Sequence, residues 1–273
     1  MAILKHVIFI FAAVAAMSLG LAIRAKTGAE MFENLIPNRW GQSASIVTAA
    51  FKLAHAGKQE DQLIERYRKA IESNPDDATA REALKRLINR PNPISDDQGQ
   101  RIREILRRYA RPGKTSLVTP DEPGARLEVS GTVRDPSGKP VAGAVIYVFQ
   151  TDAQGHYTKA RVMNEPNARL FALMKSGTDG RYEFSTIRPG GYPGTPERQG
   201  EQWRIPEHIH FEINAQGYQE RRFQMVFEDD PRMTPYWHDW ATKGNHPVVS
   251  ITRDKDEIQH GVNNIVLQPL SRR

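Results

Sequence analysis

The segment RLEVSGTVRDPSGKPVAGAVIYVFQ, residues 126–150, decides the fold class of this chain. Apolar residues alternate with polar or small ones from Leu127 to Val133, which predicts a half-buried strand. The sequence DPSG at 135–138 predicts a tight turn. The apolar run at 141–150 predicts a second strand. This segment therefore consists of two strands joined by a turn.

The rest of the C-terminal half repeats this pattern of short strands between Gly and Pro turns. Further strands are predicted at residues 181–187, 209–213, 223–227, 248–251 and 265–267. Many short strands without an intervening helix are typical of a β-sandwich. We therefore expect an all-β sandwich over residues 116–273.

The middle of the chain has helical periodicity instead. Apolar residues recur at helical spacing between residues 44 and 110, and Asn74-Pro75 separates the second and third of four predicted helices. Ser95 and Gln98 form a capping box for the fourth. Residues 61–88 resemble one tetratricopeptide repeat, although about three are needed to bury a continuous core. We expect a helical bundle over residues 27–115 that packs on the next domain or on a twin subunit, in preference to a groove for a protein partner.

The first 26 residues are typical of a targeting segment. Lys5 and His6 precede an apolar run at 7–23, and Arg24 and Lys26 follow it. This pattern fits a cleaved export signal and an uncleaved membrane anchor equally well. We expect an exported (periplasmic or secreted) or membrane-anchored protein of the α+β multidomain class, with segments at 1–26, 27–115 and 116–273.

The composition excludes several other classes of protein. A hydrophobic fraction of 39% and a charged fraction of 26% are ordinary for a globular protein and exclude a disordered or polytopic membrane chain. The chain has no cysteine, which excludes disulfides, iron–sulfur clusters and thiol nucleophiles. Its net charge of +6 is not arranged as a basic stripe interleaved with aromatic residues, so we expect no nucleic-acid partner.

The sharpest local feature is EHIHF at residues 207–211. On a strand, His208 and His210 point to one face while Ile209 and Phe211 point to the core. Paired imidazoles suit a metal ion, but a pair of surface histidines fits the same pattern. Two tyrosines, Tyr157 and Tyr192, each lie in a loop that follows a strand.

Together these motifs resemble the intradiol ring-cleavage (catechol and protocatechuate) dioxygenases. The resemblance runs over residues 128–230 and is carried by GTV at 131–133, VFQTD at 148–152, GHY at 155–157, TDGRYEF at 178–184, TIRPG at 186–190, HIHF at 208–211 and QMVF at 224–227. Tyr157, Tyr192, His208 and His210 occur in the order of the iron ligands of that family.

The resemblance implies an Fe(III) site held by those four residues. Ferric iron is hard and highly charged, so it suits phenolate oxygen, and imidazole also binds iron. Tyr157 would stay bound, Tyr192 would leave when the substrate arrives, and Gln224 matches a family glutamine near the substrate. The implied reaction cleaves a catecholic ring with O2 and gives a cis,cis-muconate-type diacid.

One departure from the family concerns a catalytic arginine. The family has this arginine three residues before the first histidine, where this chain has Ile205. We expect Arg204 to replace it through a bulge, with Arg198 as the alternative. Catechol, protocatechuate, hydroxyquinol and other catechols all stay open as substrates. A non-catalytic exported binding module, or a scaffold with a helical protein-docking region, is the rival hypothesis.

Overall fold

The computed structural model of this chain describes residues 41–90, 94–158, 167–194, 200 and 203–271. The chain divides into two compact units, Met1–Gln59 and Glu60–Arg273. The described part of the first unit, residues 41–59, is the start of a long helix. The predicted targeting segment lies outside the described residues. No helix among the described residues is long and apolar enough to cross a membrane.

Four helices and eleven strands are described. The helices are α1 (Gly41–Ser73), α2 (Ala78–Ile88), α3 (Asp96–Arg108) and α4 (Pro235–Lys243). The strands are β1 (Lys114–Ser116), β2 (Arg126–Arg134), β3 (Val145–Gln150), β4 (Leu170–Lys175), β5 (Arg181–Ile187), β6 (His208–Asn214), β7 (Arg221–Phe227), β8 (Val248–Val249), β9 (Ile251–Arg253), β10 (Gln259–Val262) and β11 (Ile265–Val266).

The strands form two sheets around one hydrophobic core. The first sheet has the order β1-β5-β2-β10-β9, with β11 also paired to β2, and the second has the order β4-β3-β6-β7-β8. Val129 and Phe184 of the first sheet share a buried cluster with Ile209 and Phe211 of the second. The predicted sandwich is confirmed. Because side chains alternate along a strand, the two histidines of β6 lie on the outer face of the second sheet.

Helices cover part of that outer face. Tyr147 and Phe149 of β3 and Phe171 and Leu173 of β4 point outward and share a second buried cluster with the helices. The helical members of this cluster are Ile64, Ile71, Ala80, Leu84, Leu87, Ile102 and Leu106. From residue 60 onward, the helices and the sandwich therefore have a common core.

The helix boundaries differ from the sequence prediction at two places. The first two predicted helices form one continuous helix, α1. Helix α2 begins at Ala78, because the Asp77 side chain caps it by accepting the Ala80 N–H, so Pro75 lies before the helix and not in its first turn. The predicted capping box of Ser95 and Gln98 is present at α3.

Several elements of the sandwich were wrong or missing in the prediction. The second strand begins at Val145 and not at residue 141, since Gly143 turns the chain with a φ of 72°. Strands β1, β4 and β10 were not predicted; β4 is a continuous apolar run, whose periodicity does not distinguish a strand from a helix. Helix α4 was not predicted either, so the sandwich does contain an intervening helix.

Gly131 on β2 has no room for a side chain. A Cβ there would lie 1.9 Å from the Asn263 carbonyl oxygen, which accepts a hydrogen bond from Tyr182 Oη at 2.6 Å. We expect Gly131→Ala to lower the free energy of unfolding by about 1–3 kcal/mol, the range for an overpacked core, as measured by urea denaturation. The neighbouring change Ser130→Ala should stay within about 0.5 kcal/mol. Equal losses in the two variants would contradict this explanation.

Candidate metal centre

Four side chains from separate parts of the chain meet on the outer face of the second sheet. Tyr157 follows β3, Tyr192 follows β5, and His208 and His210 lie on β6. Tyr157 Oη lies 2.8 Å from His210 Nε2 and 3.3 Å from His208 Nε2, and the two Nε2 atoms are 3.0 Å apart. Tyr192 Oη lies 3.3 Å from Tyr157 Oη and 3.4 Å from His208 Nε2. The four ligands predicted from the sequence are thus side by side.

Both imidazoles present Nε2 to this cluster. His208 Nδ1 lies 2.7 Å from the Pro206 carbonyl oxygen. We assign the proton to Nδ1, which donates to that oxygen and leaves the Nε2 lone pair for the cluster. The His210 ring stacks on Phe149 with 4.3 Å between centroids and 8° between planes. Burial lowers the pKa of His208 to about 4, and burial with the neighbouring His208 lowers the pKa of His210. Both side chains are therefore neutral near pH 7.

The loop that carries Tyr157 is fastened by Asp152. Its Oδ1 accepts the backbone N–H groups of Gln154 and His156, each at 3.0 Å. Its Oδ2 accepts a hydrogen bond from Arg169 at 3.2 Å. The backbone N–H of Arg169 donates to the Tyr157 carbonyl oxygen at 2.9 Å. These bonds fix the main chain on both sides of Tyr157, whose side chain is fully buried.

A backbone bridge fastens Tyr192. The Ile205 N–H donates to Tyr192 O at 2.8 Å, and the Tyr192 N–H donates to Ile205 O at 3.3 Å. Gly191 allows this close approach, because a Cβ there would lie 2.6 Å from the Ile205 oxygen. Tyr192 is only partly buried, in contrast to Tyr157. It therefore occupies the more open side of the cluster.

The donor atoms fit a small, hard metal ion. Imidazole nitrogen binds zinc at about 2.0–2.1 Å. Two donor atoms that both bind one ion at that distance lie about 2.9–3.4 Å from each other. The measured separations run from 2.8 to 3.4 Å. Phenolate oxygen and imidazole nitrogen together suit ferric iron. Within the described ranges, no group of three or more His, Cys, Asp or Glu residues could hold a metal, so those ranges contain no triad of two histidines and a carboxylate.

The other predicted site residues lie around this cluster. Gln224 on β7 is the register partner of His210, so both side chains are on the outer face. Arg204 is partly buried and directly precedes Ile205, and Arg198 lies outside the described residues. Ile205 packs against an apolar cluster under α4. The members of this α4 cluster are Val226, Met233, Trp237 and Ala241. The catalytic roles of Arg204 and Gln224 stay predictions.

Two neighbouring side chains were missed by the sequence analysis. Phe149 contacts His210 because β3 and β6 pair in this register. His246 accepts the Gln224 backbone N–H on Nδ1 at 2.9 Å and stacks on Trp240 at 4.1 Å. Strand alternation predicts the face of β3 on which Phe149 lies, but not that Phe149 contacts His210. The local sequence gives no signal for that contact or for the one between His246 and Gln224, because the two residues of each pair are distant along the chain.

A β-sandwich that gathers two tyrosines and two histidines on an outer face has the donor set of a candidate non-haem metal centre. The chain belongs to the intradiol ring-cleavage dioxygenase family, because a family model described as a dioxygenase matches residues 109–265, more than half of its length. It is 33% identical over 135 residues to catechol 1,2-dioxygenase 1 of Acinetobacter lwoffii. It is 37% identical over 121 residues to chlorocatechol 1,2-dioxygenase of Rhodococcus opacus.

These matches cover parts of the proteins concerned. The first covers 45% of this chain and 42% of the relative, and the second covers 41% and 47%. The chain therefore spans less than half the length of these relatives. The crystal structure of catechol 1,2-dioxygenase from Pseudomonas arvilla C-1 is similar with a TM-score of 0.49 and 23% identity, over 60% of this chain and 58% of that one.

Gly191→Ala is expected to displace Tyr192 from the cluster, because the new Cβ would lie 2.6 Å from the Ile205 oxygen. The variant should bind ferric iron about 10-fold more weakly and show weaker tyrosinate-to-iron absorption in the visible spectrum. Gly217→Ala is the matched control: Gly217 has a φ of 84°, so alanine is strained there too, but it lies in the β6–β7 turn, at the far end of β6 from His208. Equal iron binding by the two variants would contradict this expectation.

Proposed function

We propose that this chain is a non-haem, Fe(III)-dependent dioxygenase that cleaves a catecholic ring between its two hydroxylated carbons. O2 is the second substrate, and both of its atoms end in a cis,cis-muconate-type diacid, so no external reductant is needed. The observation that carries the proposal is the cluster of Tyr157, Tyr192, His208 and His210. The relatives named for catechol and chlorocatechol support the same substrate class.

The rival hypothesis of a non-catalytic binding module does not account for this cluster. His208, His210 and Tyr157 are each at most 9% exposed, and buried polar groups cost free energy unless a partner compensates them. A module without chemistry at this face has no need for three such groups, or for their donor atoms to converge with that of the partly exposed Tyr192. One cation bound between them would coordinate all four donor atoms at once, which favours the enzyme over the module.

The four side chains have different roles in this proposal. All four would hold the iron, which when bound supplies the positive charge that ionises the phenols and makes a chelated catechol reactive toward O2. Tyr157 is fully buried and fastened on both sides, so it is the ligand that remains. Tyr192 is partly exposed, so its Oη is the group that leaves and takes a proton from a substrate hydroxyl.

The α4 cluster supplies one wall of the proposed substrate site. Val226 is the register partner of His208, and Ile205 is bridged to Tyr192, so both flank the metal ligands. Ile205 carries no charge where the family has an arginine. Trp237 packs in the same cluster, and its buried indole N–H has no partner in the described part of the chain. This donor is our candidate for a hydrogen bond to an oxygen of the substrate.

The proposal predicts a coloured protein. With ferric iron, the chain should show broad tyrosinate-to-iron absorption that shifts when catechol is added without oxygen. Tyr157→Phe and Tyr192→Phe should each keep only the absorption of one tyrosinate, and Tyr157→Phe should also remove most of the activity, because Tyr157 is the ligand that remains when the substrate binds. Tyr218→Phe is the control, because Tyr218 pairs with Pro269 beyond the far end of β6. A colourless parent, or a colour that ignores catechol, would refute the proposal.

Trp237→Phe tests the wall of the substrate site. The variant keeps an aromatic ring but removes the indole N–H. We therefore expect kcat/KM for a catechol to fall about 5- to 10-fold, which corresponds to the loss of about one hydrogen bond. Its tyrosinate-to-iron absorption should equal that of the parent, since Trp237 is not a ligand. An unchanged kcat/KM would exclude the hydrogen bond.

A further inference from the structure

Helix α3 carries a buried arginine at its contact with the second sheet. Arg103 is 8% exposed. Its Nη2 donates to the Ala168 carbonyl oxygen at 2.9 Å, and its Nη1 lies 3.5 Å from Asn167 Oδ1. Its guanidinium carbon lies 5.1 Å from the centre of the Phe171 ring. Among the described residues no carboxylate pairs with it, and its contacts there are with carbonyl, amide and ring groups.

One route leads from Arg103 to Tyr157. The carbonyl group that Arg103 binds belongs to Ala168, and the next residue, Arg169, donates its backbone N–H to Tyr157 O at 2.9 Å. The guanidinium therefore fixes the main chain directly beside the hydrogen bond that holds Tyr157.

A second route leads from Arg103 to His210 through aromatic rings. The Arg103 guanidinium lies over the Phe171 ring, and that ring meets the Tyr147 ring edge-on with 6.2 Å between centroids. Burial raises the pKa of the Tyr147 hydroxyl, and the positive charge of Arg103 opposes that shift. The Tyr147 ring stacks on Phe149 at 5.2 Å, and Phe149 stacks on His210 at 4.3 Å. All three rings project from the outer face of the second sheet. Arg103 thus supports the ring against which His210 is held.

We propose that Arg103 is a positioning residue of the metal centre, fixing Tyr157 and His210 from the helical side. It reaches Tyr157 through the main chain at Ala168, and it reaches His210 through the rings of Phe171, Tyr147 and Phe149. A guanidinium suits this role because its planar fork directs hydrogen bonds to more than one group at once. The inference rests on the proposed iron-dependent function, and it gives α3 a part in positioning the proposed metal ligands.

The test compares two arginines of the same helix in the full-length chain loaded with Fe(III). Arg101 lies two residues from Arg103 but pairs with Asp61 in an exposed ion pair at 2.9 Å. Arg103→Met should retain iron about 10-fold less tightly against a competing chelator, as for other residues that orient metal ligands, and its tyrosinate-to-iron absorption should shift in wavelength. Arg101→Met should match the parent in both measurements.

A second pair of variants covers the case in which Arg103→Met does not fold. Arg103→Lys keeps the charge and one hydrogen bond but loses the fork, so it should bind iron less tightly than Arg101→Lys. Thermal unfolding, followed by circular dichroism, separates a loss of stability from a change in the metal centre. If Arg103 were purely structural, its substitution would lower the midpoint temperature of unfolding and leave the absorption wavelength of the folded protein unchanged.

Two negative results are distinguishable. If the parent shows the absorption and each Arg103 variant that folds matches its Arg101 partner in iron retention and wavelength, the positioning role is overturned. If the parent itself binds no iron, the proposed function is overturned and this inference falls with it.

Discussion

The antiparallel register between β3 and β6 is the constraint on which the rest of the structure depends. It pairs Val148 with Phe211 on the core side and Phe149 with His210 on the outer side. Because side chains alternate along a strand, a slip of one residue would turn both histidines into the apolar core and Phe211 out of it. The core between the sheets therefore selects the register, and the register places the two imidazoles on one outer face.

The two tyrosines reach the histidines because their loops pass each other backbone to backbone. A Cβ on Gly155 would lie 2.6 Å from the Gly191 carbonyl oxygen, and one on Gly190 would lie 2.5 Å from the Ala153 carbonyl oxygen. Side chains at these positions would separate the loops and move Tyr157 away from Tyr192. The glycines beside each tyrosine are thus a packing requirement of the cluster as well as turn residues.

Helix α3 and the sandwich meet beside the proposed metal centre. Phe149 belongs to the buried cluster that contains Ile102 and Leu106 of α3, and it also stacks on His210. A helical segment that served only to bind another protein would not need to reach the ring that supports a proposed metal ligand. The same contacts explain how residues of α3 influence a centre whose donor atoms they do not touch.

The sequence by itself determined the features that depend on near neighbours. Alternation over β2, β5, β6 and β7 predicted strands and the face of each histidine, and the order of Tyr157, Tyr192, His208 and His210 indicated the family and the candidate ligands. It did not predict β4, which is apolar on both faces, or the short helix α4. Only the tertiary structure brought Phe149 to His210, His246 to Gln224 and Arg103 to Ala168. The physical reason is that local periodicity reports which face a side chain takes, whereas its partner on that face is set by pairing between segments distant along the chain.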